Sequence, residues 1–146
     1  MKLTFCVPGV AHAWSRTRIA FDPRTGRVRP VNTAALRDYE HQVASAAALA
    51  ARAQGWRLVA RDVPVALAIV CHLPIAKGTA KRKVEALVGA PAVPSRGDTS
   101  NFLKAIEDGI VKCQIVIPDD AQIYRTVTEK YWCRLEDARV EVEVEA

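Results

Sequence analysis

The sequence predicts an α/β fold, a single domain in which a mixed β-sheet carries packed helices. Three observations support it. Residues 63–73 (VPVALAIVCHL) are an almost continuous apolar run rich in β-branched residues, the pattern of a central strand covered on both faces. Two segments, near 33–52 and 99–111, repeat apolar side chains at helical spacing. The run VEVEVE at 140–145 alternates strictly, as a strand with one dry face and one wet acidic face does.

The elements follow in order. Residues 2–7 (KLTFCV) form a short strand that Pro8-Gly9 ends. Residues 10–32 read as an extended arm containing a hairpin, whose turn is Asp22-Pro23-Arg24-Thr25-Gly26. Asn32 or Thr33 caps a long helix running to about Arg52, with Leu36, Tyr39, Val43, Ala46, Ala47 and Ala50 on its buried side. Pro74 stops the central strand. Residues 76–96 form a basic connection with a short helix at about Ala80–Leu87, and Thr99–Val111 is a second firm helix. Ile123–Cys133 and Ala138–Glu145 read as two strands joined by a tight turn near Glu136-Asp137, a late hairpin. No repeat, low-complexity stretch or linker divides residues 1–146.

Composition narrows the function classes. The 146 residues carry 50% hydrophobic and 25% charged side chains, an ordinary globular balance. A chain of this length buries roughly 68–70% of its unfolded surface and needs no staple. The four cysteines (Cys6, Cys71, Cys113, Cys133) have neither C-x-x-C nor metal-finger spacing, and they are expected to be free thiols packed as small hydrophobes. The first residues do not read as a signal peptide, and no apolar run reaches the ~20 residues of a membrane span; a cytoplasmic protein is expected. His12, His41 and His72 have no spacing that suggests a metal site.

The net charge of +5 is unevenly spread. Lys2, Arg16, Arg18, Arg24, Arg27 and Arg29 face only Asp22 in the first thirty residues, and Lys77, Lys81, Arg82 and Lys83 form a second basic cluster. The end is acidic instead, through Glu136, Asp137, Glu141, Glu143 and Glu145. Such segregation suits a face that binds a polyanion.

The chemistry-bearing stretch is Arg96-Gly97-Asp98-Thr99-Ser100-Asn101-Phe102-Leu103-Lys104, then Asp108, then Asp119-Asp120-Ala121-Gln122-Ile123. On a helix, Phe102, Leu103, Ile106 and Ile110 fall within a ~100° core arc, and Asn101, Lys104 and Asp108 within a ~60° arc on the other side. Asp98 lies just ahead of the helix start, where Thr99 or Ser100 would be the cap. Adjacent strand residues point to opposite faces, so only one of Asp119 and Asp120 need face the helix. A divalent cation is one reason for two acidic segments to meet, since magnesium takes one or two carboxylates plus water and substrate phosphate. A helix cap and a surface turn are the other account of the same residues.

Order and spacing resemble the RusA family of Holliday junction resolvases. That family carries P-D-x-D-N-x-x-K opening a helix, an aspartate one turn on, and D-D-x-Q-[VI] entering a strand; here these match Gly97–Lys104, Asp108 and Asp119–Ile123. The short strand, Val-Pro-Gly, the arginine-containing arm and the following long helix are also similar. Gly97 replaces the family's proline, and Ser100 stands where its second aspartate usually stands.

The resemblance implies a RusA-like fold and a magnesium-dependent endonuclease that cuts four-way DNA junctions, with Mn2+ expected to substitute. It implies Asp98, Asp120 and Asp119 as metal ligands, and Lys104 beside the scissile phosphate or the attacking water. Arg16, Arg18, Arg27, Arg29, Arg96, Asn101 and Lys81 are the expected DNA contacts. A homodimer would match the two-fold symmetry of a junction that needs two cuts. The missing charge at Ser100 leaves a junction-binding protein with little nuclease activity as the alternative.

Overall fold

A computed structural model describes residues 1–16, 18–94 and 97–146. Its strands are β1 (Lys2–Pro8), β2 (Arg18–Asp22), β3 (Arg27–Val31), β4 (Val65–Pro74), β5 (Ile123–Cys133) and β6 (Arg139–Glu145). Its helices are α1 (Ala34–Ala53), α2 (Lys81–Leu87) and α3 (Thr99–Cys113). β1, β6, β4 and β5 form one sheet in that order, and β2 and β3 form a separate antiparallel hairpin. β4 runs parallel to β5, while β6 is antiparallel to both β1 and β4. The sheet is therefore mixed, and the α/β expectation holds.

The late hairpin does not form. β5 and β6 are consecutive, yet β4 lies between them. The short 3-10 turn Leu135–Asp137 carries the chain past the end of β4 instead of folding β6 back on β5. The physical reason is pairing: the most apolar strand satisfies its backbone groups on both edges when it sits inside the sheet. In that position β6 sets Val140, Val142 and Val144 into the core and leaves Glu141, Glu143 and Glu145 on the outer face.

A second expectation is corrected on β4. Its side chains alternate buried and half-buried, so only one face is covered. α1 and α3 pack together, with α1 also against β1, and the side of β4 that carries Val65, Leu67, Ile69, Cys71 and Leu73 is the core side. The other face carries the small side chains Ala66 and Ala68, then Val70 and His72, and stays partly open.

The helices start and stop for local reasons. Of the two expected caps, Thr33 is the one used: its hydroxyl accepts the Leu36 N–H at 3.2 Å. Asn32 instead donates to Glu40 at 3.1 Å. At the other end Gly55 takes the left-handed conformation (φ +67°), which suits glycine and breaks the helix. Gln54 then clasps the backbone of Thr4 in both directions, tying α1 to β1. The buried side of α1 is Leu36, Tyr39, Val43, Ala47 and Ala51, with Ala46 and Ala50 only half-buried. In α3 the stripe is Phe102, Ala105, Ile106, Gly109 and Ile110, and Leu103 lies at its margin. Burying each large aliphatic side chain contributes about 1.5–3 kcal/mol.

Of the cysteines, Cys71 and Cys133 are buried, Cys113 is half-buried and Cys6 is exposed, and all four are free. Cys6 thus departs from the expected core role, because it points to the open face of β1. Among the described residues, no helix is long and apolar enough to cross a membrane.

Candidate active site

The site lies along the flank of α3. Asp98 is itself the N-cap, rather than Thr99 or Ser100: its carboxylate accepts the Asn101 N–H at 2.9 Å. Ser100 donates its hydroxyl to the same oxygen at 2.9 Å. The Asn101 bond first, then the Ser100 bond, hold Asp98 below the usual carboxylate range, with a smaller pull from the Lys130 ammonium. Lys130 lies opposite Cys71 in the β4–β5 register, on the helix-facing side of the sheet edge.

Lys104 sits six positions beyond Asp98, about 9 Å further along the helix axis at 1.5 Å per residue. Its ammonium bridges two carboxylates, Asp108 at 2.7 Å and Asp120 at 2.8 Å. Burial by itself would lower the Lys104 pKa, but the hydrogen bonds and charges of Asp108 and Asp120 outweigh it and raise it. Asp120 is held low, chiefly by its bond from Lys104.

Asp119 and Asp120 diverge. Asp119 caps the short turn Asp120–Gln122, accepting the Ala121 N–H at 3.0 Å, and its other oxygen lies 4.0 Å from Arg61. Only Asp120 reaches the helix. Gln122, in the same segment, is buried and donates to the carbonyls of Ala60 at 2.6 Å and Val63 at 2.9 Å. It anchors the loop ahead of β4 and so fixes where Asp120 stands.

Sequence reasoning missed Glu107. It is half-buried, its pKa is raised mainly by burial, and Lys104, Asp120 and Asp108 all act on it. The signal was available in its spacing: position 107 is three residues beyond Lys104, a helical neighbour.

The first turn of α3 is braced by the N-terminal arm. Trp14 donates its backbone N–H to the Asn101 carbonyl at 2.9 Å. Gly97 has φ +82°, and a Cβ there would lie 2.9 Å from both Ala13 and the Phe102 ring. The family's proline, which requires negative φ, does not suit this backbone. Ala11, His12, Ala13, Trp14, Asn101 and Phe102 line a cavity of about 410 Å³ beside this turn.

A profile described as Endodeoxyribonuclease RusA matches residues 8–145. The chain belongs to the RusA family of endodeoxyribonucleases. Membership implies a nuclease of the Holliday junction resolvase class. No curated protein matches the chain significantly.

The RusA motif segments are thus partly united. Lys104, Asp108 and Asp120 share one cluster; among the described residues Asp98 shares no hydrogen-bond partner with them; Asp119 turns toward Arg61. Arg18, Arg27 and Arg29 stand exposed on the β2–β3 hairpin, with Arg16 exposed just before it. Lys81 opens α2, past the Pro74 end of β4, whereas Asp120 precedes Ile123 at the opposite end of the β4–β5 pair. Arg96 lies outside the described residues.

RusA nucleases are generally dependent on a divalent metal. Among the described residues no group of three or more His, Cys, Asp or Glu converges as a ready-made cage. Magnesium does not require one, because it keeps several waters and uses one or two carboxylates plus substrate phosphate. Asp108 and Asp120 already converge on one cation, and their hard oxygens are the donors such an ion takes.

Proposed function

We propose that the chain is a magnesium-dependent endonuclease that resolves four-way DNA junctions by paired, symmetric nicks as a homodimer. The observation that carries this is the Lys104 ammonium seated between Asp108 and Asp120, on the helix that Asp98 caps. Hard carboxylate donors and a cation meet there, on the helix whose first turn the N-terminal arm braces through the Trp14–Asn101 backbone bond, and these are groups a phosphodiester needs.

Asp120 would hold the metal together with Asp108, the carboxylate it meets at Lys104; Asp98 and Asp119, the other ligands that the family motif implies, stand apart from that pair. When bound, the ion supplies activated water and offsets charge on the phosphodiester. Lys104 keeps Asp120 ionised and oriented, and it is free to transfer one hydrogen bond to a phosphate oxygen. Arg16, Arg18, Arg27, Arg29 and Asn101 fix the DNA by its backbone. Mn2+ should replace Mg2+, because its ligand preference is similar. Two copies related by a two-fold axis would place two sites on one junction.

A labelled synthetic junction, incubated with Mg2+ and with EDTA, tests this. Paired nicks that EDTA abolishes are expected. Asp120→Asn should abolish cleavage and leave junction binding intact; a variant that cuts at the wild-type rate removes Asp120 from the mechanism.

One observation favours a second reading, a junction binder with little nuclease activity. Ser100 brings no second carboxylate, and its hydroxyl is engaged with Asp98. A gel shift without nicks in Mg2+ or Mn2+ would support it.

A further inference from the structure

The β2–β3 hairpin is two-faced. Opposed residues in its register share a face, so Ile19 and Pro30, then Phe21 and Val28, line one side. Arg18, Arg29 and Arg27 belong to the other side, with Ala20, Asp22 and Val31. The apolar side is open: Ile19 is 79% exposed, Phe21 66% and Val28 62%. Outside its own pairing, the hairpin makes little contact with any other element among the described residues. An isolated two-stranded ribbon is marginal in water, and exposed large apolar side chains clustered on one face mark a surface that something covers.

Charge selects the occupant. Residues 16–29 carry Arg16, Arg18, Arg24, Arg27 and Arg29 against Asp22 alone. The arginines line the side opposite the apolar face, and a ribbon with five arginines and one aspartate is complemented by a polyanion that wraps it rather than by a second copy of the same net charge. Stacked duplex offers phosphates but no free base surface. A strand opened at a branch offers both, and its bases have apolar faces on which Phe stacks and between which Ile, Val and Pro wedge.

We infer, resting on the branched-DNA reading, that the apolar face Ile19–Phe21–Val28–Pro30 receives unpaired bases while the arginines of the hairpin hold the flanking phosphates. The hairpin then distinguishes an open branch from continuous duplex, a task separate from the chemistry at Asp120.

The test measures affinity of the full chain, in EDTA to prevent cutting, for three DNAs: a four-way junction, a duplex with a five-nucleotide bulge, and the same duplex fully paired. Phe21→Ala should weaken junction and bulge binding about 5- to 150-fold, the range for loss of one stacked base. Binding to paired duplex should hardly change. Phe21→Trp should restore discrimination, and Phe21→Leu, which keeps the apolar bulk, should not restore it fully. Equal losses on all three DNAs, or none, overturn the inference. So does sedimentation that converts from dimer to monomer in Phe21→Ala, which would assign the face to a second copy. If the wild type binds the junction no better than the bulge, the junction reading falls, and the bulge-to-duplex difference in Phe21→Ala still decides the role of the hairpin.

Discussion

Two donors meet one oxygen of Asp98, the Asn101 N–H and the Ser100 hydroxyl, each at 2.9 Å. Ser100→Asp removes one donor and adds a carboxylate at the position where the family carries one. The half-maximal Mg2+ concentration for nicking should then fall on the order of tenfold, equivalent to ~1.4 kcal/mol from one added charge interaction. In the absence of metal the crowded carboxylates should lower the melting temperature. Magnesium titration of nicking, beside melts with and without the ion, separates the effects; an unchanged or higher requirement takes position 100 out of the ligand set. Glu107 gives a pH signature. Burial raises its pKa, so between its unfolded and folded values the native state binds more protons than the unfolded chain. The stability this contributes is complete below the unfolded value and lost as pH rises through the folded one. Glu107→Gln, which cannot ionise, should therefore raise the melting temperature at neutral pH and lose that advantage below about pH 4, under the ordinary glutamate range. Asp120, held low by Lys104, has the opposite sign: its contribution is present above the ordinary aspartate range and is lost as pH falls through its folded value. Equal shifts for Glu107→Gln at both pH values would show that the carboxylate is not penalised by burial.

The α1–α3 contact is the element on which the site rests. Gly109 lets the helices approach so closely that a Cβ there would lie 2.6 Å from the Val43 side chain and 3.1 Å from the Glu40 carbonyl oxygen. One turn along, the buried Glu40 carboxylate accepts from Lys112 at 2.9 Å and from Asn32 at 3.1 Å. On an isolated helix Gly→Ala gains about 1 kcal/mol. Here the steric conflict should reverse the sign, and Gly109→Ala should destabilise by about 1–3 kcal/mol in chemical denaturation, the range for overpacked cores. Adding Val43→Ala should recover part of the loss, since the two positions touch and will not be additive. A Gly109→Ala variant more stable than the wild type would show that α1 and α3 can move apart without penalty.

Across the whole molecule, charge is separated as the sheet is. The acidic row of β6 (Glu141, Glu143, Glu145) lies on the sheet face opposite the helices, while the arginines project on the β2–β3 hairpin. Such separation orients an approaching polyanion. Junction binding should therefore weaken steeply with salt, each neutralised phosphate adding about −0.9 to the log–log slope on duplex arms. Arg16→Ala, Arg18→Ala and Arg27→Ala should each flatten that slope by up to about one unit. Titrations between about 50 and 200 mM salt measure it, and an affinity indifferent to salt contradicts a basic DNA-binding face.

The elements were legible because their signals are local. VEVEVE, the 63–73 run and the capped helices each depend on neighbours within a few residues, and so did the turn of the hairpin at Asp22–Gly26. The motif on α3 was legible for the same reason, since helical spacing alone puts Lys104 beside Asp108. Non-local choices were not. Nothing between Cys133 and Arg139 says that β6 passes β4 to pair with β1, because strand partners are selected by which edges need hydrogen bonds and which faces need cover. Asp119 and Asp120 diverge as expected but not through strand alternation: Asp119 caps the short 3-10 turn that Asp120 opens, and the anchoring of Gln122 to Ala60 and Val63 sets where that turn stands against Lys104. The spacing of Glu107 from Lys104 was readable, but its raised pKa and the Glu40–Lys112 pair were not, for a related reason: burial, which gives a carboxylate its character, is a property of packed elements and not of the residue or its sequence neighbours.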